Sequence, residues 1–233
     1  QGWTVDSTRA FAGKLPVHVG PVTLSPRFNP NATGPEPASE SDRLPTSVDP
    51  RQMSLLGAAW TVGSLKYLAE SGAASVTYFE TTGWRGVLDR EEGCADPFSS
   101  IPGGAFPMAH TFTWFGGMKG GEMLVTQSSR YLSVDGFALK RGKWVRFLIA
   151  NLTGMPQTVR VNCPGLEGSV RIEPLDEETV EQAVTEPRGF RSRKDVQNTD
   201  TSGGTFRVEM KPYAVLCVKG QIAGWRLETC APK

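Results

Sequence analysis

The chain has 233 residues, 39% of them apolar, 21% charged and 9% aromatic. That apolar share excludes a disordered segment, which buries too little to offset its ordering entropy, and no apolar run nears the roughly 18 residues of a membrane span. Lysine plus arginine is 25 and aspartate plus glutamate 24, a net charge of +1, so the basic excess of a nucleic-acid binder is missing.

Gln1 to Ala12 reads as the end of a helix, with Trp3, Val5, Ala10 and Phe11 apolar and Gly13 as its stop. A chain that opens on Gln1 inside a helix–strand alternation is expected to lack something N-terminal. Leu15–Leu24, LPVHVGPVTL, is almost wholly apolar. It predicts a strand buried on both faces of a parallel sheet, with Pro21 forcing a bulge or an early end to the ladder. Residues 25–50 hold six prolines and no periodicity; loops of that length are usually functional or disordered. The spacing of Leu55, Ala58, Ala59, Val62, Leu65 and Leu68 predicts a helix over Pro50–Ser71. Asp49 is its N-cap, Pro50 suits its first turn and Gly72 ends it. Ala74–Glu80, ASVTYFE, reads as a β-branched and aromatic strand. Helix, strand, helix, strand implies right-handed crossovers and a parallel sheet.

Phe106–Phe115 predicts a short helix. From Gly120 the pattern changes to short strands at Glu122–Ser128, Ser133–Lys140, Trp144–Asn151, Gln157–Asn162, Ser169–Pro174, Thr179–Thr185, Thr205–Lys211 and Tyr213–Lys219. Glycine-rich turns separate them, as in an antiparallel sandwich. Arg188–Gly204 is polar and reads as an exposed loop. The fold class expected is therefore α/β plus all-β. Residues 1–118 are the last β/α units of a (β/α)8 barrel, and residues 119–233 an antiparallel β-sandwich. Many glycosidase-like barrels end in this order. Two units cannot close a barrel, so the other strands are expected from an N-terminal part or from another chain.

The four cysteines, Cys94, Cys163, Cys217 and Cys230, have no metal-type spacing, and His18 and His110 are the only histidines. No metal and no cofactor are expected, and the thiols read as free rather than disulfide-bonded. The glycosylation-type triplets at Asn31 and Asn151 are the kind of short match that arises by chance. No signal peptide is recognisable, and the expected location is cytoplasmic.

In a (β/α)8 barrel the chemistry sits where strands run into βα loops. One such place is Thr23–Asn31, where Arg27 could grip a carboxylate or oxyanion and Asn29 a hydroxyl. The other is Tyr78–Gly86, where Glu80 ends a strand beside Trp84 and Arg85. A carboxylate there is costly unless paired or in a cleft. Glu80 is read two ways, as a catalytic group or as a salt bridge with Arg85 or Arg27 that pins the rim. Trp84 is read as packing more than as a flat face for a sugar ring. His18 either faces the site or is a satisfied core histidine, and His110 reads as packing. No Gly-x-Ser-x-Gly elbow, Walker or dinucleotide motif is present. Pro187–Lys194 is basic but reads as a solvated loop.

Residues 54–87, SLLGAAWTVGSLKYLAESGAASVTYFETTGWRGV, and 16–34, PVHVGPVTLSPRFNPNATG, resemble the D-apionate lactonase family of bacterial apiose catabolism. The resemblance implies a glycosidase-like barrel with a C-terminal β domain, and hydrolysis of D-apionolactone to D-apionate. A small sugar lactone would be the substrate, with no nucleic acid and no membrane as partner. Lactone opening needs a general base and donors for the oxyanion. Glu80 would be the base, Arg27 or Arg85 the oxyanion partner and Asn29 a hydroxyl contact, with Trp84 and His18 lining the pocket. A glycoside hydrolase with a (β/α)8 barrel is the runner-up. A retaining one needs two carboxyls about 5 Å apart, and the strand Val19–Leu24 carries none. A non-catalytic carbohydrate-binding or assembly fragment is the third reading.

Overall fold

A computed structural model describes residues 1–27, 31, 33–34, 43–94, 98, 100–194 and 196–223. In chain order the elements are α1 (Gly2–Ala12), β1 (His18–Val22), α2 (Leu55–Glu70), β2 (Ser75–Tyr78), α3 (Pro107–Gly116), β3 (Glu122–Leu124), β4 (Val134–Arg141), β5 (Trp144–Asn151), β6 (Gln157–Asn162), β7 (Leu166–Leu175), α4 (Val180–Thr185), α5 (Pro187–Ser192), β8 (Gln197–Asp200), β9 (Thr205–Met210) and β10 (Val215–Ile222). No described helix is long and apolar enough to cross a membrane.

β1 and β2 pair in parallel, His18 with Ser75 and Val19 with Val76. The ladder shifts register between Val19 and Val22, where Pro21 has no N–H to give. This is the interruption Pro21 predicts. Burial on both faces is not what the structure has. β1 reads mostly exposed, and only Val17 and Val22 are buried, against Val5 of α1 and Leu68 of α2. Helices cover one face of the ladder; among the described residues nothing covers the other.

The helix predicted over Pro50–Ser71 is two pieces. Pro50–Met53 is a 3-10 turn whose Arg51 N–H donates to Asp49. Ser54 then caps α2, its Oγ accepting from the Gly57 N–H at 3.2 Å. The corner is tight: a Cβ on Gly57 would lie 2.6 Å from the Arg51 carbonyl oxygen. After α2, Gly72 takes φ +76 and its N–H returns to the Ala69 carbonyl, the left-handed stop glycine is suited to.

The second half forms a six-stranded antiparallel sheet, ordered β3-β4-β5-β10-β7-β8, and a separate two-stranded sheet, β6-β9. Along β5 the side chains alternate. Val145, Phe147 and Ile149 pack with Phe206, Val208 and Met210 of β9. Leu148 and Ala150 point the other way, into a core shared with Ala58, Val62 and Leu65 of α2 and Met108 and Trp114 of α3. The large sheet therefore has the small sheet on one face and the helices on the other.

Two expectations are corrected here. Thr179–Thr185 is not a strand but contains α4. Asp176 Oδ1 accepts from the N–H groups of Glu178 and Thr179, which closes the turn that leads into α4. Arg188–Gly204 is not an exposed loop throughout. It contains most of α5, whose Phe190 is 2% exposed, and β8, which pairs with β7. One apolar residue in a polar run is too weak a sequence signal, yet it seats the segment. The strand expected over Glu122–Ser128 shortens to β3. Asn151, the head of one glycosylation-type triplet, is buried, its amide donating to the Met155 and Lys211 carbonyls. Cys94, Cys163 and Cys217 are free thiols; Cys230 lies outside the described residues.

A buried polar knot ties α2 to the sheet. The Lys66 ammonium donates to Glu70 (3.1 Å) and the Thr126 carbonyl (2.7 Å) and lies 3.7 Å from Asp135 of β4. The Tyr67 hydroxyl donates to the other Asp135 oxygen at 2.6 Å. Removing the cation leaves the buried Asp135 and the largely buried Glu70 without their positive partner. Lys66→Met is expected to cost about 3 kcal/mol in urea unfolding, and Asp135→Asn added to it should recover part of the loss. A Lys66→Met protein as stable as the parent would show that the knot contributes nothing.

His110 on α3 is fully buried, edge-on to Phe190 at 4.6 Å. Nε2 lies 2.8 Å from the Ala183 carbonyl, which only accepts, so Nε2 carries the hydrogen. Nδ1 has no partner among the described residues. Burial pushes the imidazole down from 6.5 to about 4; Ala183 opposes this and Arg191 and Arg193 add to it. The unfolded chain thus takes a proton that the folded one refuses. Stability present above pH 6.5 should fall by up to about 3 kcal/mol as pH drops toward 4. His110→Gln should flatten unfolding midpoints measured across that window; an unchanged slope would refute the assignment.

Candidate active site

Two loops meet where β1 and β2 end. The first leaves β1 through Thr23, whose Oγ1 donates to the Ser25 carbonyl at 2.6 Å. It delivers Arg27 to the second loop. Arg27 Nη1 donates to the Ser47 carbonyl at 2.6 Å, and Nη2 to the Arg85 carbonyl at 2.9 Å. Burial lowers the guanidinium from its ordinary value; Glu80 nearby raises it and Arg85 lowers it. Three groups named from the sequence, Arg27, Glu80 and Arg85, are thus brought within electrostatic reach of one another.

The second loop is a tight coil. The Glu80 N–H donates to the Arg85 carbonyl at 3.0 Å, and the Gly86 N–H to the Gly83 carbonyl at 2.7 Å. Gly83 has φ +80, and a Cβ on Gly86 would stand 2.6 Å from Thr82 backbone atoms. Only glycine fits at 86. The Gly86 carbonyl accepts from Gln52 Nε2 at 2.5 Å, which pins the coil to the turn before α2. The Arg85 carbonyl receives both the Glu80 N–H and Arg27 Nη2, so one oxygen ties the Glu80 backbone to the Arg27 guanidinium.

Glu80 is 54% exposed and pairs with Arg85 Nε at 3.4 Å. Trp84 is half-buried and packs against the core beneath α2 and α3. His18 starts β1, at the strand's other end from Arg27, and its Nδ1 sits 2.7 Å from Ser75 Oγ. The structure does not bring it to the other groups. Asn29 lies outside the described residues. An open concavity of about 450 Å3 lies beside Arg27, lined also by Val22, Thr23 and Leu24.

Asp49 stands behind this rim. Arg51 donates to it through Nε at 2.9 Å and holds its carboxyl below the ordinary value, against the opposing effect of burial. Sequence reasoning named Asp49 as a cap but missed Gln52 and Ser47, which place the two loops. A glutamine inside a run read as helix was the one available signal. Among the described residues no three His, Cys, Asp or Glu side chains gather as metal ligands. A carboxylate flanked by two guanidinium groups can take a proton from water and still leave positive charge to meet an oxyanion.

Known proteins resemble the chain over both of its parts. Residues 1–120 match the D-apionate lactonase TIM barrel domain, and residues 132–218 the D-apionate lactonase C-terminal immunoglobulin-like domain. A curated relative, a D-apionate lactonase of Brucella anthropi, is 27% identical over 156 residues, covering 66% of this chain and 24% of that protein. The chain thus spans about a quarter of that relative's length. Among solved structures, a glycoside hydrolase family 30 endoxylanase from Clostridium papyrosolvens superposes with a TM-score of 0.53 at 13% identity, over 74% of this chain and 39% of that one. A monomeric beta-xylosidase from Caulobacter crescentus gives 0.53 at 15% identity, over 95% and 49%. These two share the fold. The chain belongs to the D-apionate lactonase family, with a partial TIM barrel followed by an antiparallel immunoglobulin-like domain.

Proposed function

We propose that this chain supplies one side of the pocket in which D-apionolactone is hydrolysed to D-apionate. The observation that carries the reading is the convergence of Glu80, Arg27 and Arg85 at the ends of two adjacent parallel strands. Glu80 removes a proton from water as its oxygen attacks the lactone carbonyl carbon. The carbonyl oxygen becomes an oxyanion, met by Arg27 or Arg85. The ring C–O bond then breaks, and the proton held by Glu80 passes to the departing alkoxide. The product is one open-chain sugar acid with a freed hydroxyl, and its new carboxyl group releases the second water proton to solvent to become the carboxylate. Asn29 is assigned to substrate hydroxyls, and Trp84 to holding the coil that carries Arg85. His18 is kept only as a contact at the far end of β1.

A retaining glycosidase would need a nucleophilic carboxylate close to Glu80. β1 runs out through Thr23, Leu24 and Ser25 and contributes none. The remaining strands of the barrel are assigned to residues outside this sequence, or to another chain, which would complete the pocket. The boundary between the two parts is placed near residue 118, just before β3. Free thiols at Cys94, Cys163 and Cys217 support a cytoplasmic setting.

Glu80→Gln tests the reading in the intact enzyme. It keeps the shape and removes the basicity. Turnover of D-apionolactone should fall by about two to four orders of magnitude, while KM changes little because the amide still hydrogen-bonds. Melting temperature read on the same preparation separates a folding defect from a chemical one. Near-normal turnover would sink the assignment, whatever the stability.

A further inference from the structure

We propose that the immunoglobulin-like domain carries a second binding site, for a carboxylated sugar, on the large sheet beside the end of α3. Arg146, Lys219 and Arg171 are direct cross-strand neighbours on β5, β10 and β7. Adjacent strands lie about 4.8 Å apart, and like charges directly opposite each other destabilise a sheet. Three cations in a row are therefore a cost that folding alone does not explain. One carboxylate answers them: Glu173, 7% exposed, accepts from Arg171 Nε at 3.0 Å and Lys219 Nζ at 2.6 Å. It serves two of the three.

Arg146 is the third. Nη1 donates to the Trp114 carbonyl, which turns the guanidinium toward α3. Its Nε is buried and has no hydrogen-bond acceptor among the described residues. A donor left so costs stability unless a ligand meets it. The row floors a groove of about 440 Å3, within the range of about 300–1,000 Å3 usual for small-ligand sites. Among the described residues no aspartate or glutamate lines it, whereas Arg141 does.

The next row outward decides the ligand class. Trp144 pairs with Arg141 on one side and Gln221 on the other. It is 50% exposed, and Lys143 Nζ lies 5.3 Å from its ring centroid. Ser169, Asn198 and Gln221 add neutral donors and acceptors to the lining. A flat aromatic face beside amides and a hydroxyl suits the face and hydroxyls of a sugar ring. The guanidinium fork suits a planar carboxylate. One ring with one carboxylate matches both halves of the groove. The site stands on the sheet's own residues and does not depend on the chemistry assigned to Glu80.

Calorimetric titration of the intact protein with D-glucuronate, D-glucose, acetate and glucose 6-phosphate tests it. Glucuronate should bind with a Kd on the order of a millimolar or tighter, more weakly as salt is raised. Glucose lacks the charge and acetate the ring, and both should bind at least about tenfold more weakly. Trp144→Ala removes a half-exposed side chain and should weaken glucuronate about five- to tenfold. Arg146→Lys should weaken it as well, with thermal unfolding confirming that the protein remains folded. Glu80→Gln should leave glucuronate binding unchanged, so loss of lactonase turnover and loss of this site are read separately. The proposal is overturned by absence of glucuronate binding, by acetate or glucose 6-phosphate binding as tightly, by binding unaffected by Trp144→Ala, or by binding lost in Glu80→Gln.

Discussion

The centre of the six-stranded sheet is apolar on both faces, and the rest of the molecule is arranged around that constraint. Antiparallel sheets often leave one face to water. This one cannot, because β5 and β10 present Leu148, Ala150, Val215 and Cys217 on one side and Phe147, Ile149, Leu216 and Val218 on the other. The small β6-β9 sheet covers the second face. The first needs α2 and α3, which belong to the barrel part. The two parts are two domains by family and by sheet, yet they share a core. Cys217, at the centre of the shared layer, has its thiol pushed up to about 12 by burial, consistent with a packing residue and not a nucleophile.

That sharing fixes where the candidate site stands. α2 is clamped to the sheet by apolar packing and by Lys66. The 3-10 turn before α2 carries Gln52, which holds the carbonyl of Gly86. Asp49 in the same corner holds Ser25 and Arg51. The loops bearing Arg27 and Glu80 are thus anchored through the start of α2 to a helix that the β domain locks. Loss of packing at the sheet would reach the rim through a short chain of direct contacts.

Much of this was legible in the residues because local signals agreed with the tertiary outcome. The alternation Trp144–Asn151, with polar turns on either side, is β5 to the residue. Gly72 stops α2 because only a left-handed residue fits there. The failures have a common cause. α4, α5 and β8 are short and polar, and tertiary contacts hold them: His110 of α3 bonds the Ala183 carbonyl of α4, Phe190 fills the space beside His110, and β7 supplies the ladder for β8. The apolar run Leu15–Leu24 misled in the opposite sense. It encodes burial by neighbours that the described residues do not include, so β1 is exposed where its composition asks for a core. At the rim, the sequence showed which charged groups were near strand ends. It could not show that the Arg85 carbonyl, a backbone atom with no sequence signature, joins Glu80 to Arg27.

The charge balance at the rim also bears on the chemistry. One carboxylate faces two guanidinium groups, so the local field is positive. Glycoside cleavage passes through a transition state with positive character on the sugar ring, which such a field would oppose. Lactone hydrolysis develops negative charge on the carbonyl oxygen, then on the departing alkoxide, which the same field would stabilise. A fold that superposes on glycoside hydrolases could therefore host the opposite electrostatic demand where β1 brings no carboxylate and arginines stand in the loops. In this reading the scaffold supplies the position, and the sign of the charge placed there selects the reaction.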